Sequence, residues 1–172
     1  MAEALAKITR VEGLGMVTIR ADFDRAGEAI AEAAGLSLPG ATQITSDGSR
    51  SLGWMSPDEL LLILPVAETA AAMADLEQAL SGEHALVANV SDARAVFDVI
   101  GPDAADVLTK LSPVDVAGLQ PGSLRRSRAA QTAAAIWRVE GGFRLIGFRS
   151  TADYLALILN NAAIGGSQLA PR

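Results

Sequence analysis

The sequence predicts an α+β fold, and three observations carry that expectation. Short runs of alternating or uniformly aliphatic residues recur along the chain, as strands require. Between them lie segments whose apolar residues return every three or four positions, as amphipathic helices require. The 172 residues are 50% hydrophobic but only 4% aromatic, so Ala, Leu, Val and Ile must do the packing. Such a composition suits helices laid closely on a sheet. It does not line a pocket for a flat aromatic cofactor.

The elements follow in order. Residues 16–20 contain Val17, Thr18 and Ile19 and read as a strand. Asp24 is placed to cap a helix over 25–34, with Gly35 as its stop. Residues 42–46 read as a short strand, and Asp47-Gly48 as a turn. Strand segments follow at 51–55 and 59–64, broken at Ser56-Pro57-Asp58. The run 60–64 is Leu-Leu-Leu-Ile-Leu with no alternation, which predicts a strand covered on both faces. Met73, Leu76 and Leu80 share one face of a helix over 68–81, and Gly82 ends it. Residues 85–90 return as a strand. The order βαββαβ of residues 1–92 resembles a ferredoxin-like unit.

Residues 93–172 repeat the pattern of elements without repeating the residues. Residues 94–100 alternate Val96, Asp98 and Ile100 against Phe97 and Val99. Gly101-Pro102-Asp103 opens a helix with proline at its first position, ending near Leu111-Ser112-Pro113. Residues 126–139 read as one long strand, Gly141-Gly142 as a hairpin turn, and 143–149 as the returning strand. Ser150-Thr151-Ala152-Asp153 has capping-box spacing, and 154–159 continues that helix. This second half is a partial βαββα copy, and the two halves are expected to form one compact unit. Residues 114–124, the longest irregular stretch, are placed to serve a partner or a site. Residues 165–172 read as a loose tail.

Charge and residue inventory exclude several functions. The net charge is −6 and the sequence pI about 4.7, which disfavours nucleic acid and anionic membranes as partners. There is no cysteine, hence no disulfide, thiolate metal site or cysteine nucleophile. Glu3, Lys7, Arg10 and Glu12 interrupt the start, so no signal peptide is expected there. The longest apolar runs are too short to span a bilayer. The expectation is a cytoplasmic protein.

The one histidine, His84, falls between a helix stop and a strand, and reads as a surface residue. No Gly-x-Ser-x-Gly elbow, Gly-x-Gly-x-x-Gly turn or P-loop is present. Gly13-x-Gly15 precedes a strand and reads as a hairpin or bulge. No catalytic, cofactor-binding or metal-binding residue is therefore expected on this chain. Three residues are interface candidates. Trp54 stands just before a turn, although core packing is its first reading. Arg126 and Arg128 belong to a basic run, Arg125-Arg126-x-Arg128, and their spacing of two puts both on one face of a strand.

Several stretches together resemble a known family. They are Gly35-Leu36-Ser37-Leu38-Pro39, Leu52-Gly53-Trp54-Met55-Ser56-Pro57-Asp58-Glu59-Leu60-Leu61, Val90-Ser91-Asp92-Ala93-Arg94 and Gly101-Pro102-Asp103-Ala104-Ala105-Asp106-Val107-Leu108. Asp115-Val116, Pro121-Gly122 and Arg149-Ser150-Thr151-Ala152-Asp153-Tyr154 continue the series. Their order and spacing are similar to the gamma subunit of heterotetrameric sarcosine oxidase, from about residue 36 to 159. From Val96 onward the chain also resembles the wider folate-binding fold of glycine-cleavage aminomethyltransferases, through Gly101, Ala104 and Leu108 of the helix. Those enzymes carry a functional aspartate on the first hairpin strand. Here the stretch reads Gln131-Thr132-Ala133-Ala134-Ala135-Ile136-Trp137, without a carboxylate.

The resemblance implies a non-catalytic structural subunit. The whole enzyme would oxidise sarcosine to glycine with peroxide production and pass the methyl carbon to tetrahydrofolate. FAD, FMN and NAD would reside on the larger alpha and beta subunits and zinc on the small delta subunit, with no cofactor on this chain. An alternative is a stand-alone small folate-binding methyl or formaldehyde transferase. The folate-fold module of a tRNA-modifying GTPase ranks below both.

Overall fold

Lys7 precedes Ile8, and Thr9 and Arg10 separate it from Val11, yet this polar stretch forms the first strand, β1 (Lys7–Val11). Gly13, at φ 77°, then turns the chain into β2 (Leu14–Arg20), which belongs to a different sheet. The hairpin or bulge expected at Gly13 is thus a crossing between sheets. The computed structural model describes residues 3–169 and divides into two compact units. The first unit is Gly13–Asp92. The second joins the described parts of Met1–Glu12 to those of Ala93–Arg172.

The first unit runs β2, α1 (Phe23–Ala34), β3 (Ile44–Asp47), β4 (Arg50–Ser56), β5 (Glu59–Pro65), α2 (Thr69–Ala79) and β6 (Leu86–Asn89). Its antiparallel sheet has the order β3-β4-β5-β2-β6. Val17 and Ile19 of β2 and Leu60, Leu62 and Leu64 of β5 share one face, where they bury against Ile30 of α1 and Leu76 of α2. Each such side chain contributes roughly 1.5–3 kcal/mol by leaving water. All five residues of the aliphatic run 60–64 are buried, which explains its lack of alternation. Asp22, not Asp24, caps α1: its carboxylate accepts from the Asp24 amide at 3.1 Å. The two acids lie two apart, and the extended backbone of Asp22 starts the helix earlier. Gly35, at φ 67°, ends it as expected.

The second unit runs β7 (Arg94–Ile100), α3 (Ala104–Thr109), β8 (Leu124–Ala129), β9 (Thr132–Val139), β10 (Gly142–Phe148) and α4 (Ala152–Ala162). Its sheet has the order β1-β7-β10-β9-β8. Laid against the first unit, β7 takes the place of β2, β8 to β10 those of β3 to β5, and β1 that of β6. The strand missing from the partial copy is supplied from the other end of the chain. It pairs with β7 from Lys7↔Ile100 to Val11↔Val96. In each unit four strands keep the ferredoxin-like order, with one further strand on an edge.

Three local expectations are corrected. Residues 126–139 are not one strand: the chain reverses at Ala130, which adopts φ 49°, so β8 and β9 form a hairpin. Alanine rarely takes this conformation, and Ala130-Gln131 carries no glycine or asparagine to announce it. Pro102 lies before α3, which starts at Ala104. The capping box expected of Ser150 and Asp153 is displaced: Thr151 stands at the cap of α4 without a side-chain capping bond, and its hydroxyl donates to Phe148 O at 3.1 Å instead.

Asp103 precedes α3 without a side-chain capping bond, whereas Leu108 is fully buried in the helix-side core. Leu108→Ala is expected to cost about 2–5 kcal/mol and Asp103→Ala roughly 0.3–1 kcal/mol. Urea midpoints of the two variants check the ranking; equal losses would contradict it.

Candidate functional site

Strand pairing decides where the candidate residues stand. Trp54 lies on β4 opposite Leu60, just before a register shift between Trp54 and Ser56. Its amide donates to Gln43 O at 2.9 Å. The ring is half-buried and packs against the core of the first unit. Core packing, the first reading of this residue, describes the buried part of the ring.

The hairpin after Trp54 is held by charge. Arg20 Nη2 meets Asp58 Oδ2 at 2.5 Å, and Ser56 Oγ donates to Asp58 Oδ1 at 2.7 Å. The Arg20 guanidinium, and after it the Ser56 hydroxyl, hold the Asp58 carboxyl below its ordinary value. The carboxylate's contribution to stability is therefore present above that ordinary value and is lost as pH falls through the lowered one. In an NMR titration, Ser56→Ala is expected to move the Asp58 midpoint up toward the ordinary value. An unmoved midpoint would remove the hydroxyl from the account.

Arg20 and Asp58 also line an open hollow of about 780 Å³, with Phe23, Arg25, His84 and Leu86 on its walls. Its arginines are engaged: Arg25 Nη2 lies 3.0 Å from Glu83 Oε2. His84 is exposed on the rim. Among the described residues no group of His, Asp and Glu is arranged to hold a metal ion. No described helix is long and apolar enough to cross a membrane.

In the second unit Arg126 and Arg128 are both exposed on β8, opposite Ala135 and Ala133 of β9. They share a face, as their spacing requires. The irregular stretch before them is anchored rather than loose. Val116 and Leu119 are buried in the core, Asp115 Oδ1 accepts from the Gly118 amide at 3.1 Å, and Arg138 Nε donates to Leu119 O at 2.9 Å. A small hollow of about 260 Å³ remains between Asp115, Gln120 and Arg125.

Two features were missed by sequence reasoning. Asp98 of β7 and Arg144 of β10 face each other across the ladder in a two-pronged pair, at 2.6 and 2.9 Å. The pair raises the arginine further above its ordinary value through that hydrogen bonding. A charged residue between Val96 and Ile100 on one strand face was the available signal. The other feature is charge segregation. The first unit carries three Lys and Arg against twelve Asp and Glu, nine negative; the second carries eleven against eight, three positive. The net −6 of the chain conceals a cationic half. Residues 1–12 add no net charge, with Lys7 and Arg10 balanced by Glu3 and Glu12, so the excess lies in residues 93–172, nine Lys and Arg against six Asp and Glu.

A family model described as "Sarcosine oxidase, gamma subunit family" matches residues 20–165. The chain belongs to this family. Among curated proteins, "Sarcosine oxidase subunit gamma" of Arthrobacter sp is 36% identical over 131 residues, covering 71% of this chain and 62% of the relative. The subunit of the same description from Corynebacterium sp. (strain U-96) is 35% identical over 126 residues, covering 69% and 59%. The chain thus spans about six-tenths of the length of these gamma-subunit relatives. Among solved structures, a chain of the heterotetrameric sarcosine oxidase from Corynebacterium sp. U-96, in complex with pyrrole 2-carboxylate, matches with TM-score 0.88 and 27% identity. That match covers 100% of this chain and 91% of the other. The glycine cleavage system aminomethyltransferase T from Bartonella henselae matches with TM-score 0.68 and 18% identity, over 92% of this chain and 46% of the other. The second likeness shows that this chain shares its fold with part of an aminomethyltransferase.

Proposed function

We propose that this chain is a non-catalytic, structural subunit of a heterotetrameric sarcosine oxidase. The assembly would oxidise sarcosine to glycine with peroxide production and pass the methyl carbon to tetrahydrofolate. The observation that carries the reading is the full-length match, at TM-score 0.88, to a chain of such a heterotetramer. The alpha, beta and delta subunits are the proposed partners. FAD, FMN and NAD belong on the larger subunits and zinc on the smallest, in the cytoplasm. This chain contributes no step of the chemistry; it holds a face of the assembly. The half-buried Trp54 and the turn after it are proposed contributors to an interface on the order of 1,600 Å² or more.

The stand-alone folate transferase is not favoured. The stretch Gln131-Thr132-Ala133-Ala134-Ala135-Ile136-Trp137 lacks the carboxylate that the folate enzymes carry there.

Co-expression with the alpha, beta and delta subunits tests the proposal. The expected result is a four-subunit complex that reduces oxygen with sarcosine, while the isolated chain is colourless and inactive. Stoichiometric flavin on the isolated chain would overturn the non-catalytic role. A wild-type chain that stayed monomeric beside its co-expressed partners would overturn the subunit reading.

A further inference from the structure

We infer that the outer edge of β6, in the first unit, takes up an apolar, extended segment of a partner subunit that is flanked by a basic residue. This rests on the subunit reading above and names a surface for it.

Four strands stand at the ends of the two sheets: β1 and β8 in one, β3 and β6 in the other. Edges of this kind offer amides and carbonyls to an incoming strand, and proteins guard them with charge. β1 carries Lys7 and Arg10, β3 carries Asp47, and β8 carries arginines. β6 has no such guard. It reads Leu-Val-Ala-Asn, and the uncharged stretch runs from Ala85 to Val90. None of its four residues is buried, and Leu86 is 50% exposed.

The backbone of β6 is half used. It pairs with β2 only, from Arg20↔Leu86 to Val17↔Asn89. Val90 N donates to Met16 O at 2.8 Å, which continues that register. Backbone groups alternate in direction along an antiparallel strand. Leu86 and Ala88 therefore face β2, and Val87 and Asn89 turn their amides and carbonyls outward. These outward groups have no backbone partner among the described residues. An added strand would bond to them, with Leu86 as an apolar contact beside the ladder.

Charge selects the occupant. The first unit is nine negative, so a second copy of the same edge is repelled. The hollow of about 780 Å³ lies at the start of β6, with Ala85 and Leu86 on its wall. It sets Asp22, Asp24, Asp58 and Glu83 against Arg20 and Arg25. Both arginines are already held, by Asp58 and Glu83. Asp22 and Asp24 leave the hollow negative. A strand that pairs with β6 and runs past Leu86 brings its next residues here, where Lys or Arg is attracted and Asp or Glu repelled. Pro57 and Asp58 of the turn after Trp54 line the same hollow, so one partner segment can reach both.

The test uses the co-expressed complex. Amide exchange at Val87 and Asn89 is expected to slow when the wild-type chain is assembled. Val87→Pro removes an outward amide but no bond to β2, and is expected to lower affinity for the partner subunits on the order of tenfold. Leu86→Lys, which places a like charge at the hollow, is expected to lower it by a similar factor, and Leu86→Glu by a smaller one. Thermal unfolding of each free variant identifies any loss due to misfolding. Unchanged exchange at Val87 and Asn89 on assembly, or wild-type affinity in the folded Val87→Pro and Leu86→Lys variants, would overturn the inference while leaving the subunit reading intact. So would a loss in Leu86→Glu as large as in Leu86→Lys, or a purified chain that protects the same amides by dimerising alone. Failure of the wild-type chain to assemble would instead sink the subunit reading.

Discussion

Deleting residues 3–11 is expected to unfold the second unit. Those residues contribute β1, the whole antiparallel ladder along one side of β7. They also contribute Leu5, which is buried in the same core as Phe97, Val107 and Leu155. Its backbone joins two helices to the sheet: Leu5 N donates to Ala163 O at 2.9 Å, and Leu5 O accepts from the Asp103 amide at 3.3 Å. Leu5→Ala alone should cost about 2–5 kcal/mol, against a total of roughly 5–15 kcal/mol for a domain. Loss of the strand as well leaves β7 with an unpaired edge and the core open. Amide exchange resolved along 94–162 is the measurement. Protection there equal to wild type in the deletion variant would show that β1 is dispensable.

Gly142→Ala is the second large expected effect. A Cβ at this position would stand 2.1 Å from Val99 O and 3.0 Å from Ile100 Cα. Both are backbone atoms of β7, so no flexible side chain can swing aside. The β7–β10 ladder must part where Gly142 faces Ile100. The expected cost is about 3 kcal/mol or more. Gly48→Ala is the control. Gly48 adopts φ 54° with open space around it, so only backbone strain of about 1 kcal/mol is expected. Urea midpoints compare the two; a cost at Gly142 no larger than at Gly48 would refute the steric account.

The sequence made most elements legible because their signals are local. The leucine run 60–64, the stop at Gly35 and the turn at Gly141 each follow from a few neighbouring residues. What escaped depends on distant pairing. β1 has only Ile8 and Val11 as apolar residues in five positions, and nothing within it reveals that β7 is its partner. The turn at Ala130 escaped because alanine there takes a conformation its neighbours do not announce. At the candidate surfaces, the shared face of Arg126 and Arg128 follows from strand parity alone. The Asp98–Arg144 pair does not, because it needs the β7–β10 register. The cationic excess of residues 93–172 was open to a count of charges and was hidden only by the net charge of the whole chain.

The placement of β1 also orders events during synthesis. Lys7 and Val11 leave the ribosome before β7, whose Val96 and Ile100 they will face. At roughly 5–20 residues per second, β1 waits several seconds or more for its partner strand. Throughout that interval the whole first unit, Gly13–Asp92, can emerge and close its own sheet. A strand that waits so long must stay soluble while unpaired. Lys7, Thr9 and Arg10 give it that property, because charged and polar residues keep a nascent strand from sticking to its neighbours. The same polarity that hides β1 from a hydrophobic pattern thus suits a segment made early and used late.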